Sequence, residues 1–229
     1  MLIKGLQKLT LLDFPGKMAC TVFTAGCNFR CPFCHNASLV TDIDDERISE
    51  EEFFSFLNKR QGILEGVCVT GGEPTLQLDL AEFLKKIKDL GYAVKLDTNG
   101  YRPEILKDVV EKGLVDYVAM DIKNSKEKYG ITAGVEKLDV AKIEESVELL
   151  KSGTCPYEFR TTVVRELHTP QDIESMAKWL KGSTQYFLQS FVDSGDLSCS
   201  GYSGYDKSEM QNLLNIAKNH FESTKLRGI

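Results

Sequence analysis

The chain has 229 residues, 42% of them hydrophobic, and this is enough for one packed domain spanning residues 1–229. Its 28 basic and 34 acidic side chains give a net charge of -6, with no Lys/Arg-rich block to neutralise a row of phosphates, which disfavours nucleic acid as a partner. No run approaches the roughly 18 apolar residues of a membrane span, and residues 1–16, an N-terminal extension, lack a secretory leader. We therefore expect a cytoplasmic protein with no membrane partner.

Short β-branched or aromatic runs alternate with amphipathic stretches, which is typical of βα units around a parallel sheet. Six such units are predicted within residues 17–220. A complete eight-unit barrel takes about 250 residues, so six units predict an α/β fold of the partial (β/α)6 TIM-like barrel type, open on one side. Their continuous apolar character suits strands covered on both faces. The predicted strands are 18–24, 67–70, 92–98, 115–122, 157–164 and 185–192.

Period and capping residues predict the helices between these strands. Ser49 and Glu52 predict a capping box, and Thr169-Pro170 predicts a later helix start. The acidic stretch 42–46 predicts a solvated loop. The clearest core stripe, at helical spacing, is formed by Leu80, Phe83, Leu84, Ile87 and Leu90. Three further helices are predicted from Pro103 to Gly113, around Ile143, Val147 and Leu150, and around Met210, Leu213, Leu214 and Ala217.

Unusual polar residues follow the predicted strands at the point where each one ends. The carboxyl ends of barrel strands converge on one mouth, where the chemistry of such folds collects. Each segment also has a plain structural interpretation: Gly-Gly and Asp-Thr-Asn-Gly are common turns, Asp121 and Lys123 could form an ordinary ion pair, and Arg160 could be an edge charge. Their joint placement favours function. In strand order the polar residues are the cysteine loop, Gly71-Gly72-Glu73, Asp97 with Thr98, Asp121 with Lys123, Arg160, and Gln189 with Ser190.

The 7 cysteines are an odd number and cannot pair completely, which argues against a disulfide framework in a reducing compartment. Cys20 and Cys68 lie in apolar runs, where cysteine is commonly a core residue. Cys155 and Cys199 lie in loop-like sequence without a partner at ligand spacing. The other three cysteines therefore stand apart from these four.

Cys27, Cys31 and Cys34 lie within eight positions of each other and have no fourth partner nearby. Zinc favours two separate pairs of ligands, and His35 is poorly placed to complete a tetrahedron with its neighbour Cys34. A cluster used only for electron transfer favours four thiolates. Three thiolates can instead hold three irons of a [4Fe–4S] cluster and leave the fourth iron open, as a catalytic site requires.

This C-x3-C-x2-C loop, followed by Gly-Gly-Glu-Pro after the next strand, resembles the radical S-adenosylmethionine (SAM) superfamily. The resemblance implies that Cys27, Cys31 and Cys34 hold one [4Fe–4S] cluster whose open iron binds SAM. Electron transfer then cleaves SAM to methionine and a 5′-deoxyadenosyl radical, while the protein supplies positioning and exclusion of water.

The same resemblance implies further roles for single residues. Phe33 would lie against the adenine, and Gly71, Gly72 and Glu73 would bind the SAM amino group. Other residues implied to line the SAM site are Asn36, Asp97, Thr98, Asp121, Lys123 and Arg160. Asp97, Thr98 and Asp121 would also hold a monovalent cation.

The opening LLDFPGKMACTVFTAGCNFRCPFCHN resembles the activating enzymes of anaerobic ribonucleotide reductase and pyruvate formate-lyase. This implies that Asp13 faces a substrate peptide and that the radical removes hydrogen from a glycine Cα of a partner enzyme, with a flavodoxin- or ferredoxin-like electron donor. QSFVDSG in strand six, where the pyruvate formate-lyase type carries Pro-Tyr-His, favours the reductase type. The alternatives are a radical SAM enzyme for a small molecule, such as a deazapurine-type synthase, and a non-catalytic iron–sulfur redox module.

Two further histidines remain. His168 could approach the mouth from the end of strand five, although a loop or capping role is the plainer interpretation. His220 follows the last predicted helix and is interpreted as a favourable contact with its C-terminal dipole.

Overall fold

One mixed sheet organises the chain. The computed structural model describes residues 1–41, 47–193, 195, 197–221 and 223–228, so the predicted acidic loop 42–46 lies outside the described residues. Within the described part the sheet has eight strands in the order β1 to β8, with β1 antiparallel to β2 and the others parallel. They are β1 Ile3–Thr10, β2 Ala19–Thr24, β3 Gly66–Gly71, β4 Ala93–Thr98, β5 Tyr117–Asp121, β6 Tyr157–Val163, β7 Tyr186–Ser190 and β8 Thr224–Arg227.

The six predicted strands are confirmed as β2 to β7, and β1 and β8 are the two free edges of the sheet. The fold is therefore an open, partial barrel, as predicted. The inner strands are buried because both faces are covered: Val67 and Val69 of β3 are fully buried, as is Leu96 of β4.

Helices cover the outer face of the sheet. The six predicted helices correspond to α2, α3, α4, α6, α7 and α8. Ser49 Oγ accepts a hydrogen bond from Glu52 N–H at 3.1 Å, but the return bond of the predicted capping box is not found in the described residues. Thr169 and Asp172 form a complete capping box. No helix in the described residues is long and apolar enough to cross a membrane. The helices are α1 Ala37–Thr41, α2 Glu50–Asn58, α3 Leu80–Asp89, α4 Pro103–Glu111, α5 Tyr129–Ala133, α6 Val140–Lys151, α7 Pro170–Trp179 and α8 Lys207–Lys218.

The two edge strands were missed by sequence reasoning. In β1, which lies inside the predicted N-terminal extension, only Ile3 and Thr10 are buried, and in β8 only Thr224 is buried. Neither strand has the alternating or continuous apolar pattern on which a sequence-based assignment depends. Their place is determined by pairing with a neighbour rather than by their own composition.

The last strand is anchored by an ion pair that crosses from β8 to β6. Arg227 binds Glu158 with two parallel hydrogen bonds of 2.6 and 2.8 Å, and Tyr117 donates to the same carboxylate at 2.9 Å. The Arg227 guanidinium also lies 3.5 Å from the centroid of the Phe187 ring. Glu158 is fully buried, and removing one partner of a buried ion pair is strongly destabilising.

Replacing Arg227 with alanine should lower the free energy of unfolding by about 3 kcal/mol, because the buried Glu158 carboxylate would lose its cation. Chemical denaturation measures this loss. The matched control is Lys225→Ala, an exposed residue of the same strand, which should change stability by less than about 0.5 kcal/mol. Equal effects of the two variants would contradict this account of β8.

Candidate active site

The carboxyl ends of the strands surround a cavity of about 290 Å³, here called the cysteine pocket. All three cysteines of the predicted cluster line it, as does every residue predicted to contact SAM. These residues are Cys27, Cys31, Cys34, Phe33, Asn36, Gly71, Gly72, Glu73, Asp97, Thr98, Asp121, Lys123 and Arg160.

Asp13 does not line the cysteine pocket. Its carboxylate accepts a 2.6 Å hydrogen bond from Thr21 Oγ1 and faces a second cavity of about 160 Å³, here called the side chamber. Leu12 in its wall is 90% exposed, so the chamber reaches the protein surface. The side chamber is lined by Leu12, Asp13, Pro15, Lys95, Asp97, Glu158, Arg160, Gln189 and Arg227.

Backbone contacts hold the cysteine loop in place from both sides. Gly26 N–H donates to Leu39 O of α1 at 2.8 Å, and Arg30 N–H donates to Ala133 O of α5 at 2.9 Å. Within the loop, Phe29 N–H points at Cys27 Sγ, 3.3 Å away. Burial raises the pKa of the Cys27 thiol to about 12, and the nearby Glu73 carboxylate adds to this shift. A thiolate at this position therefore needs a compensating positive charge.

The glycine-rich loop after β3 lies directly on the cysteine loop. Gly72 N–H donates to Thr24 O at 2.9 Å and Glu73 N–H donates to Gly26 O at 2.7 Å. A Cβ atom on Gly72 would stand only 1.9 Å from Gly26 O. Glycine is therefore required at this position for steric reasons.

Glu73 ties this loop to the end of β4. Its buried carboxylate accepts hydrogen bonds from the Thr75 hydroxyl at 2.6 Å, the Thr98 hydroxyl at 2.7 Å and the Asn99 backbone N–H at 2.7 Å. Burial raises the pKa of Glu73, while these donors oppose the shift. Because every neighbour donates, the arrangement suits the ionised form.

A network of alternating charges runs along the inner face of the sheet from β4 to the end of β5. Lys95 pairs with one oxygen of Asp97, and Arg160 Nη1 binds the other at 3.0 Å. Arg160 Nε also binds Asp121 at 2.7 Å, and Lys123 binds the second Asp121 oxygen at 3.0 Å. Burial alone would raise the pKa of Asp121, but Arg160 and Lys123 outweigh it and hold the pKa well below its usual range. The predicted ion pair of Asp121 and Lys123 thus exists as part of a larger network.

Comparison with known proteins identifies the family. The Radical SAM superfamily matches residues 21–180. The chain belongs to the radical SAM superfamily. It is 31% identical over 234 residues to a Methanocaldococcus jannaschii protein named "Putative glycyl-radical enzyme activating enzyme MJ1227", covering 100% of this chain and 96% of that one.

Two other similarities within the superfamily are informative. A 7-carboxy-7-deazaguanine synthase of Thermococcus kodakarensis is 27% identical over 197 residues, covering 76% of this chain and 74% of that one. The crystal structure of a domain of pyruvate-formate lyase-activating enzyme from Bacteroides vulgatus superposes with a TM-score of 0.59 at 18% identity, covering 71% of this chain and 99% of that one. The second similarity concerns the fold.

Membership of the radical SAM superfamily implies a [4Fe–4S] cluster and SAM, and the donor set of the cysteine pocket fits both. Cys27, Cys31 and Cys34 are its three thiol side chains. In the described residues no three His, Cys, Asp or Glu side chains converge as ligands of a single metal ion. Cluster ligands need not converge in that way, because each thiolate binds a different iron.

The four remaining cysteines lie elsewhere, as predicted. Cys20, Cys68 and Cys155 are buried outside the pocket, and Cys199 is exposed. Cys199 nevertheless adjoins the cysteine loop, since its N–H donates to Pro32 O at 3.0 Å.

Sequence reasoning missed Asn99 and Lys95. Asn99 Nδ2 donates to Asn28 Oδ1 at 2.8 Å and lies 3.9 Å from Cys27 Sγ, so it joins the β4 turn to the cysteine loop. In the sequence Asn99 belongs to Asp-Thr-Asn-Gly, a common turn motif, so its side chain was not singled out. Lys95 precedes Asp97 by two positions on β4, and the two-residue period of a strand could have placed both side chains on one face.

His168 has a structural role. It is fully buried, accepts from Val164 N–H at 3.0 Å through Nδ1 and contacts Lys123 O at 2.7 Å through Nε2. Since Nδ1 accepts, Nε2 carries the proton and donates to Lys123 O. Burial lowers the pKa of His168. This neutral ring supports the segment that carries Lys123.

The other remaining histidine, His220, lies just beyond the end of α8.

Replacing Gly72 with alanine should destabilise the protein by about 1–3 kcal/mol, because the new methyl group would collide with backbone rather than with a movable side chain. Thermal unfolding measures the change. Gly5→Ala is the matched control, since a Cβ there would meet only the Phe23 side chain at 3.4 Å. A Gly72→Ala protein as stable as the control would show that the two loops can separate.

Cys27 should react slowly with iodoacetamide in cluster-free protein. With the pKa of its thiol at about 12, about one molecule in ten thousand carries the reactive thiolate at pH 8, and the rate should rise about tenfold for each pH unit. Peptide mass spectrometry separates this site from exposed Cys199. Labelling of Cys27 at a rate independent of pH between 7 and 9 would contradict the raised pKa.

Proposed function

We propose that this chain activates a glycyl radical enzyme: it removes the hydrogen atom from the Cα of one glycine in a partner protein. The partner is proposed to be of the anaerobic ribonucleotide reductase type. The whole chain, residues 1–229, acts as one radical SAM domain in the cytoplasm, where thiol ligands stay reduced. Similarity over the full length to a protein named for glycyl-radical enzyme activation supports this reading.

One observation of geometry carries the choice of substrate. The side chamber, at about 160 Å³, is smaller than the roughly 300–1,000 Å³ of ordinary small-molecule pockets. Leu12, Asp13 and Pro15 of its wall lie in the connection between β1 and β2, and Arg227 lies on the edge strand β8, while the other lining residues lie on β4, β6 and β7. Part of its rim therefore lies at a free edge of the sheet. An extended loop of a macromolecule could enter at such an opening, with most of its recognition surface outside.

When bound, the cluster and SAM supply a 5′-deoxyadenosyl radical, which takes the glycine hydrogen atom and leaves the unpaired electron on Cα. The electron for SAM cleavage comes from a flavodoxin- or ferredoxin-like donor. Cys27, Cys31 and Cys34 are the proposed cluster ligands. These three thiols line the cysteine pocket from one short loop, where they would hold the cluster beside the space for SAM.

The remaining pocket residues bind and orient SAM in this proposal. Gly71 and Gly72 allow a close backbone approach, and the Glu73 carboxylate accepts hydrogen bonds from the amino group. Phe33, 5% exposed, offers an apolar face to the adenine. Asn36 and Lys123 present polar groups to the rest of the molecule.

The predicted monovalent cation at Asp97, Thr98 and Asp121 stays a prediction, and charge argues against it. Both carboxylates already pair with cationic side chains, and Thr98 donates its hydroxyl hydrogen to Glu73. A monovalent cation there would add positive charge to a site in which two carboxylates already face three cationic side chains, Lys95, Arg160 and Lys123.

The second candidate is a deazapurine-type synthase, favoured by the similarity to 7-carboxy-7-deazaguanine synthase over 76% of the chain. A heterocyclic substrate would have to occupy the space beside SAM in the cysteine pocket. The two candidates differ in whether the hydrogen atom comes from a protein.

The deciding experiment combines reconstituted enzyme, dithionite and SAM with candidate glycyl radical enzymes under anaerobic conditions. Electron paramagnetic resonance should show a glycine-centred doublet with one partner, and 5′-deoxyadenosine should form in step with it. Cys31→Ala should abolish both signals because it removes a cluster ligand. Glu73→Gln should weaken SAM binding by about tenfold or more, because it replaces a buried acceptor of charge-assisted hydrogen bonds.

Cys155→Ala is the matched cysteine control, since Cys155 is buried outside the pocket. It should keep the cluster absorbance and both signals. If SAM is cleaved but no candidate partner gives a doublet, glycyl radical activation is wrong and the small-molecule alternative gains support.

A further inference from the structure

Three side chains form the wall shared by the cysteine pocket and the side chamber: Asp97, Arg160 and Gln189. Two of them are fully engaged within the protein. Arg160 binds both Asp97 and Asp121, and Asp97 also binds Lys95. These groups would have to give up an ion pair to contact a ligand.

Gln189 differs from its two neighbours. Its carboxamide makes no hydrogen bond with any side chain or backbone group in the described residues. The backbone of Gln189 is fixed in β7, in register with Thr162 of β6 and Arg227 of β8. A rigid strand therefore presents a free NH2 group, with two N–H donors, and a free carbonyl acceptor between the two cavities.

The charges of the side chamber determine what could bind beside Gln189. Arg227 is engaged by Glu158, Lys95 by Asp97, and Asp13 accepts from Thr21. An anionic ligand would find its counter-ions already paired, and burying an unpaired charge is costly. The Asp13 carboxylate, bonded to the neutral Thr21 hydroxyl, keeps acceptor capacity for an N–H donor. A neutral group that both donates and accepts hydrogen bonds suits the site better. The peptide group of a main chain has this chemistry.

We propose that the Gln189 carboxamide binds a peptide group next to the reacting glycine of the partner chain. This inference rests on the proposed function and specifies how that site recognises its substrate. Because Gln189 belongs to the shared wall, it lies between the side chamber, through which the partner's loop would enter, and the cysteine pocket, where the Cα of the partner's glycine would react. The chamber, at about 160 Å³, is smaller than ordinary small-molecule pockets, which suits main chain without a side chain.

The probe is N-acetylglycine N′-methylamide deuterated at Cα, the smallest molecule with a peptide group on each side of one glycine. Binding is measured by saturation-transfer NMR with oxidised, reconstituted holoenzyme and SAM, without reductant. With reductant, deuterium should appear in 5′-deoxyadenosine. Gln189→Leu should raise the half-saturating probe concentration about tenfold, because a leucine of similar size leaves the peptide group unpaired.

Two methylated analogues make the test specific for hydrogen bonding. N-acetylsarcosine N′-methylamide lacks the N–H of the glycine, and N-acetylglycine N′,N′-dimethylamide lacks the N–H of the C-terminal amide. Wild-type enzyme should bind one of them about tenfold more weakly than the parent probe, whereas Gln189→Leu should not distinguish them. Gln189→Glu keeps the shape of the side chain but loses its N–H donors, so it gives a second measure of how much these donors contribute to probe binding. Gln211→Leu, at an exposed position on α8, should behave as wild type.

The inference is overturned if wild type does not bind the capped glycine, or if wild type and Gln189→Leu share the same half-saturation and the same response to methylation. Its failure is distinguishable from failure of the proposed function. A glycine doublet that forms on a partner enzyme equally well with wild type and Gln189→Leu, at limiting partner, removes the role of Gln189 and leaves glycyl radical activation standing. Absence of the doublet from every candidate partner removes the proposed function itself.

Discussion

The bridge that Arg160 makes between Asp97 and Asp121 is the interaction on which the inside of this barrel depends. Barrel interiors are usually filled by branched apolar side chains, but here β4, β5 and β6 direct charges inward. Such charges are tolerated only when each has a partner. Parallel register places Asp121 opposite Arg160, and Lys95 lies two residues before Asp97 on the same strand. One guanidinium therefore links three neighbouring strands and keeps both carboxylates ionised.

A second constraint is steric and acts on the loops rather than on the strands. The glycine-rich loop approaches the cysteine loop so closely that a Cβ on Gly72 would collide with the backbone of Gly26. Glu73 then connects the same pair of loops to the end of β4 through Thr98 and Asn99. A shift of the cysteine loop, of the glycine-rich loop or of the end of β4 would therefore displace the other two segments. This explains how segments far apart in sequence can present three thiols and a carboxylate in a fixed relation.

The sequence predicted the inner strands, the main helices and the residues around the cysteine pocket, because these rest on strong local signals: continuous apolar runs, helical stripes, and polar residues at strand ends. It could not predict the features that depend on pairing at a distance. The edge strand β8 is recognised only once Arg227 meets Glu158, and Asn99 only once its amide is seen beside Cys27. Asp13 lies in a segment with a clear motif, yet only the fold shows that it faces the side chamber instead of the cysteine pocket.

The pairing of charges inside the barrel also determines what the site can recognise. The four cationic side chains Lys95, Arg160, Lys123 and Arg227 each pair with a carboxylate, which weakens the attraction of the lumen for an anion such as a nucleotide phosphate. Discrimination must then come from neutral hydrogen bonding and from size, and a site whose polar groups are left unpaired by the wrong ligand rejects that ligand strongly. Gln189 supplies such a group at the junction of the two cavities. The same network that makes buried charge tolerable thus leaves the Gln189 amide without a protein partner at this junction in the described residues, and we propose that it binds a polypeptide main chain, whose peptide groups have the matching chemistry.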